Sequence, residues 1–211
     1  IIVQTGAILS VLVLYWRRFL PNLEFYKKLI IAFLPAAVIG LAVKSKIDLL
    51  LDSVEVVAWA LIVGGFVLIW MDRRLAGRRD QAKTVDGLSV IDCVKLGFFQ
   101  CLAFIPGVSR SGATILGGLM LKMTRKEAAE FSFFLAVPTL AGAGLIKTLP
   151  LLKTIEAGQV GILLFGMAVA FVVAILAIRF FIALVSRGGF TAFGLYRIVL
   201  GFVILGMVYL G

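Results

Sequence analysis

Apolar positions in this chain run in long unbroken blocks, at about 1–16, 29–43, 54–71, 126–146, 158–184 and 190–210, with short polar connections between them. At 1.5 Å per residue each block is long enough, or nearly so, to cross about 30 Å of hydrocarbon. None alternates with the period of two that a barrel strand needs, so the pattern predicts six transmembrane helices and an all-α, polytopic membrane protein. Pro35 and Pro138 fall inside two of the blocks; kinks are expected there, with neighbouring helices satisfying the freed carbonyls. The first block starts without a methionine or a charged leader and runs straight into Arg17 and Arg18 with no small-residue cleavage site. It reads as a spanning helix already under way in an N-terminally truncated chain, not as a signal peptide.

The segment 88–121 breaks the pattern. Its first arm carries Ser89, Asp92 and Lys95 before turning apolar from Leu96 to Ile105, and its second runs from Thr114 to Leu121. The apolar stretches measure about 15 and 12 Å, so neither arm spans alone. Pro106, Gly107 and Gly112 lie between them, which argues against one straight helix. The expectation is a re-entrant helical hairpin within a single membrane domain, 1–211. Its tip, "PGVSRSGAT" (106–114), lies near the membrane centre and faces protein or a water-filled cavity.

Composition agrees: 62% of residues are apolar and 15% charged, with a mean hydropathy of +1.13, values foreign to a soluble domain. The net charge of +10 raises nucleic acid as a partner. The lysines and arginines nevertheless sit in short clusters between apolar blocks, not along one face or tail, so topology explains them and no nucleic acid is expected. Arg17, Arg18, Lys27 and Lys28, then Arg73, Arg74, Arg78, Arg79 and Lys83, then Lys122, Arg125 and Lys126 mark cytoplasmic connections, whereas Lys44 and Lys46 are opposed by Asp48, Asp52 and Glu55. With a hairpin that returns to its own side, the 147–157 connection and the C-terminus lie outside and Arg187 inside. A single crossing at 88–121 also leaves a basic bias inside, so charge alone does not establish re-entrance. Cys93 and Cys101 fit neither a redox pair nor a zinc site and are expected to be buried free thiols.

A helix broken inside a membrane makes an anion site. The arm starting near Thr114 would aim its positive dipole end and unpaired amides at the tip, and Gly112 would let a ligand approach the backbone. Arg110 adds a fixed charge with a planar fork suited to phosphate oxygens, and Ser109, Ser111 and Thr114 supply further donors. The competing reading has Ser111 or Thr114 merely capping the arm while Arg110 pairs with Glu130; an ionisable group at membrane depth favours function. Glu127 suits the start of a helix by charge. Glu130, one turn deeper, either pairs with Arg110 or Arg125 or lines the cavity. Gln100 and Gln4 either line the cavity or bridge helices, with a structural role preferred for Gln4. Tyr196 and Arg197 either reach the same cavity or snorkel to an interface.

"FFQCLAFIPGVSRSGATILGG" (98–118) and "EFSFFLAVP" (130–138), with "QTGAILSVLVLYWRR" near the start, "LIVGG" (61–65) and "LYRIVLG" (195–201), closely resemble the undecaprenyl-diphosphate phosphatase family, the bacitracin-resistance membrane enzymes of bacteria. The resemblance implies hydrolysis of undecaprenyl diphosphate to the monophosphate carrier and phosphate, for peptidoglycan synthesis, cell-wall biogenesis and cell shape. It implies an inverted-repeat fold with two re-entrant hairpins, in the bacterial inner membrane, the active cavity facing outward. By the same resemblance Arg110 is the family's functional arginine, aided by Ser109 and Ser111, with Gly107, Gly112, Ala113 and Thr114 around the phosphate. In the family's first hairpin a serine stands at the position of Arg110 and a histidine at that of Ala113. The chain contains no histidine, and the resemblance places the nucleophile and general acid or base upstream of Ile1, so the chain as given is expected to be inactive alone. A divalent cation, Mg or Ca, bridging the diphosphate and a homodimer are further implications; no metal site is read from the residues themselves. A transporter or flippase for polyprenyl phosphate or another anion is the alternative, since half-helices at the midplane serve transport equally well. A scaffold without a site leaves Arg110 unexplained.

Overall fold

The computed structural model describes residues 3–20, 22–43, 53–75, 83–148 and 157–210. Among them are eight α-helices: α1 (Gln4–Leu14), α2 (Leu23–Ala42), α3 (Val54–Leu75), α4 (Val90–Cys101), α5 (Arg110–Met120), α6 (Arg125–Thr148), α7 (Ala157–Gly188) and α8 (Thr191–Leu210). The regular elements among the described residues are all helical, as the continuous apolar blocks require. Lys44, Lys46, Asp48, Asp52, Arg78, Arg79 and most of the 147–157 connection lie outside the described residues.

The six predicted spans map onto α1, α2, α3, α6, α7 and α8. Four are long and apolar enough to cross a membrane: Leu23–Ala42, Val54–Arg74, Val160–Gly188 and Thr191–Leu210. α1 is a shorter apolar helix of 11 residues, about 16 Å, and α6 has 24 residues. Pro35 and Pro138 do lie inside α2 and α6.

Close backbone approach holds the helices together where side chains alone give little selectivity in lipid. α3 and α8 meet through Gly65 and Gly194: a Cβ on Gly65 would stand 2.6 Å from the carbonyl oxygen of Gly194. α4 lies on α2 where Gly97 faces Pro35 and Ala32. An edge-to-face aromatic cluster packs Phe134 against Tyr15, Phe19 and Phe25, with ring centroids 5.0 to 5.7 Å apart.

The basic connections gather at one end of the molecule, tied by polar contacts that range from buried to exposed. Asp72, 4% exposed, accepts from Arg125 Nε at 2.7 Å and from the backbone and hydroxyl of Thr191 at 3.1 and 2.8 Å, so one carboxylate caps α8 and joins it to α3 and α6. Arg18 pairs with Asp86 at 2.6 Å, whose carbonyl also receives Lys28. At the base of α4, Ser89 and Asp92 form a capping box. Burial would push the Asp92 carboxyl up, but hydrogen bonds from Lys83 and Ser89 outweigh it and hold the group below its ordinary value.

The 88–121 segment folds back on itself. Lys83 N, ahead of α4, donates to Lys122 O, behind α5, at 2.9 Å, and Val85 N donates to Glu127 Oε2 at 2.8 Å. Both ends of the segment therefore sit at the basic end. α4 and α5 have 12 and 11 residues, about 18 and 16 Å, each arm longer than its apolar run suggests because capping extends the helices into polar sequence. Cys93 and Cys101 are free; Cys93 is fully buried, while Cys101 is only partly so.

Candidate functional site

The tip of the hairpin is a short 3-10 turn, Leu102–Phe104, followed by a non-helical turn and the first residue of α5, Arg110. α5 thus begins four residues earlier than the expected start near Thr114. Ser109 is its N-cap: its hydroxyl accepts from Gly112 N at 3.3 Å and stands 3.1 Å from Ser111 Oγ. The backbone there is strained, with Ser109 at φ 70°, a left-handed conformation costing a side-chain-bearing residue about 1–3 kcal/mol and typical of sites under functional constraint. Gly107, at φ 90°, takes the other left-handed position, where glycine is at ease. The amides of Arg110 and Ser111, as first and second helical residues, have no intrahelical partner and face the tip with the positive end of the dipole.

The Arg110 guanidinium donates from Nη1 to the carbonyl of Ser132 at 3.2 Å, not to Glu130. The carboxylate of Glu130 instead lies 3.9 Å from Lys126. Arg110 thereby keeps most of its five donors for a ligand. Thr114 does not serve as a free donor. It is 1% exposed, its hydroxyl lies 2.7 Å from Ser132 Oγ and bonds back to the carbonyls of Arg110 and Ser111, so it locks α5 onto α6. Ala113 is likewise buried, and its amide closes the first helical bond to Ser109. The cradle proper is the Ser109–Gly112 run.

Two cavities flank this run. One, of about 470 Å³, is lined at its polar end by Arg110, Ser111 and Ser132 and otherwise by apolar side chains, mostly of α1, α6 and α7 with Ile115 of α5 and Phe193 of α8. The other, of about 520 Å³, lies between α3, α5 and α8 and carries Gly112 and Arg197 together with Glu55 from the first turn of α3. Gly112 has no packing reason to be glycine: the nearest atoms to an added Cβ are Ser109 Cβ and Oγ at 3.6 and 3.7 Å and Arg197 Nη1 at 4.0 Å. Gly117 differs, since a Cβ there would meet Phe99 at 2.7 Å. The open space at Gly112 has Ser109 Oγ and Arg197 Nη1 beside it, in a cavity otherwise lined mostly by apolar side chains.

Gln100 and Glu130 line neither cavity. Gln100 is 2% exposed and accepts from Thr139 at 3.4 Å, a bridge between α4 and α6. Arg197 does reach the tip, donating to Gly107 O at 2.7 Å, while Tyr196 is exposed. Sequence reasoning missed Ser132, which receives Arg110 on its carbonyl and Thr114 on its hydroxyl. Its one signal was a serine inside an apolar helix, one that α6 turns toward α5. Among the described residues no three His, Cys, Asp or Glu side chains gather to hold a metal ion. The described residues by themselves therefore offer no ready ligand set for a divalent cation.

Comparison with known proteins places the chain in a sequence family. The family model described as bacitracin resistance protein BacA matches residues 1–203. A protein of Bdellovibrio bacteriovorus named undecaprenyl-diphosphatase is 61% identical over 211 residues, covering 100% of this chain and 80% of the relative. Another of that name, from Flavobacterium johnsoniae, is 47% identical over 208 residues, covering 97% and 78%. Undecaprenyl-diphosphatase 2 of Rhodospirillum rubrum is 42% identical over 221 residues, covering 100% and 80%. With the family model matching nearly the whole chain and relatives of this identity covered over most of their length, this protein belongs to the bacitracin resistance protein BacA family.

Proposed function

We propose that this protein hydrolyses undecaprenyl diphosphate to undecaprenyl phosphate and inorganic phosphate, recycling the lipid carrier used in cell-wall synthesis, and that the hairpin tip is where the diphosphate is held. The observation that carries the reading is Arg110 as first residue of a helix that begins within the protein, its guanidinium committed to a single carbonyl beside unpaired amides. Water adds to one phosphorus, the bridging P–O bond breaks, and the charge that builds on the leaving and transferred oxygens is met by Arg110 and the Arg110 and Ser111 amides. These groups are in place before the reaction, so they require no reorganisation as charge develops. The lipid tail stays among the spans.

Six spans, a re-entrant hairpin and an outward cavity complete the proposal. With the basic end in the cytoplasm, the tip lies about 18 Å into the bilayer, one α4 length from that end. The cavity beside Gly112 then runs toward Glu55 at the opposite, outer end. Single cysteines at Ser89 and Lys122, in a background lacking Cys93 and Cys101, should respond alike to an impermeant thiol reagent in intact cells. Labelling of one but not the other would show a crossing.

The experiment that tests the ligand's place is Gly112→Ala. Alanine favours a helix by about 1 kcal/mol over glycine and meets no atom closer than 3.6 Å, so thermal stability should hold or rise. The same methyl occupies the space assigned to a phosphate oxygen, and phosphate release should fall by about tenfold or more, the cost of displacing an oriented group. Unchanged turnover in a stable variant would remove the ligand from this cradle.

A further inference from the structure

Arg197, on α8, crosses to the hairpin tip. Its Nη2 donates to the carbonyl of Gly107 at 2.7 Å and to that of Ala60, on α3, at 3.4 Å. Its Nε is buried without a partner, and its Nη1 lies 4.0 Å from the position of a Cβ on Gly112. The guanidinium reaches the tip through a gap that α3 leaves at Gly64: a Cβ there would stand 2.7 Å from Nη2. The carbonyl it takes belongs to the residue whose φ of 90° puts the chain outside any helix, where its own backbone offers no partner.

We propose that Arg197 is a positioning residue for the reaction, a bolt that fixes Gly107 against the α3–α8 pair and so sets the direction in which α5 presents Arg110 and its amides. The proposal rests on the phosphatase reading of the tip. α3 and α8 approach at backbone distance through Gly65 and Gly194, so the bolt ties the one irregular stretch of the hairpin to a stiff support. An arginine suits the task because its Nη2 serves both carbonyls with N–H directions fixed by the guanidinium plane, whereas the donors of an ammonium rotate freely. Removing it frees the tip to shift, and a shift of about 1 Å in an oriented group costs about 10²-fold in rate. Arg110 remains to capture the diphosphate, so the loss falls on turnover and not on substrate binding.

The test is a double-mutant cycle on the full-length protein in detergent micelles with undecaprenyl diphosphate as substrate. R197A and G64A should each lower kcat by about 10²-fold with KM within about threefold. In G64A the new methyl displaces the end of a flexible side chain, so it is Arg197 that yields. The two changes remove one interaction, and the double variant should therefore be no slower than R197A alone. R197K, retaining one donor for Gly107, should regain about tenfold of the lost kcat. The proposal is overturned by an R197A kcat within about threefold of the parent, by single-variant effects that multiply in the double variant, or by R197K no faster than R197A. If R197A fails to fold, G64A and R197K decide by the same thresholds. An inactive Arg110→Ala beside a fully active R197A would sink this inference alone; activity retained in Arg110→Ala would sink the phosphatase reading of the tip.

Discussion

Arg110→Ala is expected to lower phosphate release from undecaprenyl diphosphate by about 10³-fold or more, the scale of losing a charge-stabilising arginine in phosphoryl transfer. Stability should change little, because the side chain donates one hydrogen bond, to Ser132 O at 3.2 Å, worth about 1 kcal/mol or somewhat more for a charged donor. A folded, inactive variant is thus the predicted phenotype. Arg110→Lys should restore only part of the rate, since an ammonium keeps the charge but loses the bidentate fork. A steady-state assay with a thermal melt on the same preparation separates the two quantities, and turnover of Arg110→Ala within a few-fold of the parent would contradict the assignment.

Gly107→Ala should be nearly as damaging for a different reason. Alanine at φ 90° carries a left-handed strain of about 1–3 kcal/mol, and its Cβ would stand 2.5 Å from the carbonyl oxygen of Val57 and 3.0 Å from Ala60 Cβ. Neither is a flexible end that can step aside, so the tip must lift from α3. We expect a destabilised protein with a lowered melting temperature and a rate reduced about 10²-fold or more. A protein as stable and as active as the parent would mean that the tip does not seat on α3.

The contrast between Gly107 and Gly112 marks what sequence could and could not reveal. Both glycines stand in "PGVSRSGAT" and both were expected at a phosphate site, yet only the packing around them separates a glycine kept for backbone conformation from one kept for open space. The helices were legible because their apolar blocks are long and uninterrupted, four of them long and apolar enough to cross a membrane, and the fold-back of 88–121 because Pro106, Gly107 and Gly112 break it. Helix starts were not. α5 begins at Arg110 because the Ser109 hydroxyl caps it, an interaction that depends on a φ of 70° no sequence pattern announces. That early start turned Thr114 from a candidate ligand into a buried clasp to Ser132. Arg110 was readable as a charge out of place in a membrane, whereas the place of Glu130 was not: sequence left it open between Arg110, Arg125 and the cavity, and at 13% side-chain exposure it stands 3.9 Å from Lys126 one turn back. Arg197 stood open between cavity and interface, and its choice depends on the slot at Gly64, a contact between helices far apart in sequence.

A helix broken within a membrane serves binding, transport and hydrolysis alike, so the product decides the central claim. Full-length protein in detergent micelles, where no second compartment exists, should be given undecaprenyl diphosphate and the lipid and phosphate products quantified together. The account predicts one inorganic phosphate released per undecaprenyl monophosphate formed, with both abolished by Arg110→Ala. Lipid recovered intact as the diphosphate after incubation with folded parent protein would contradict it and leave the tip as a site for binding or transport.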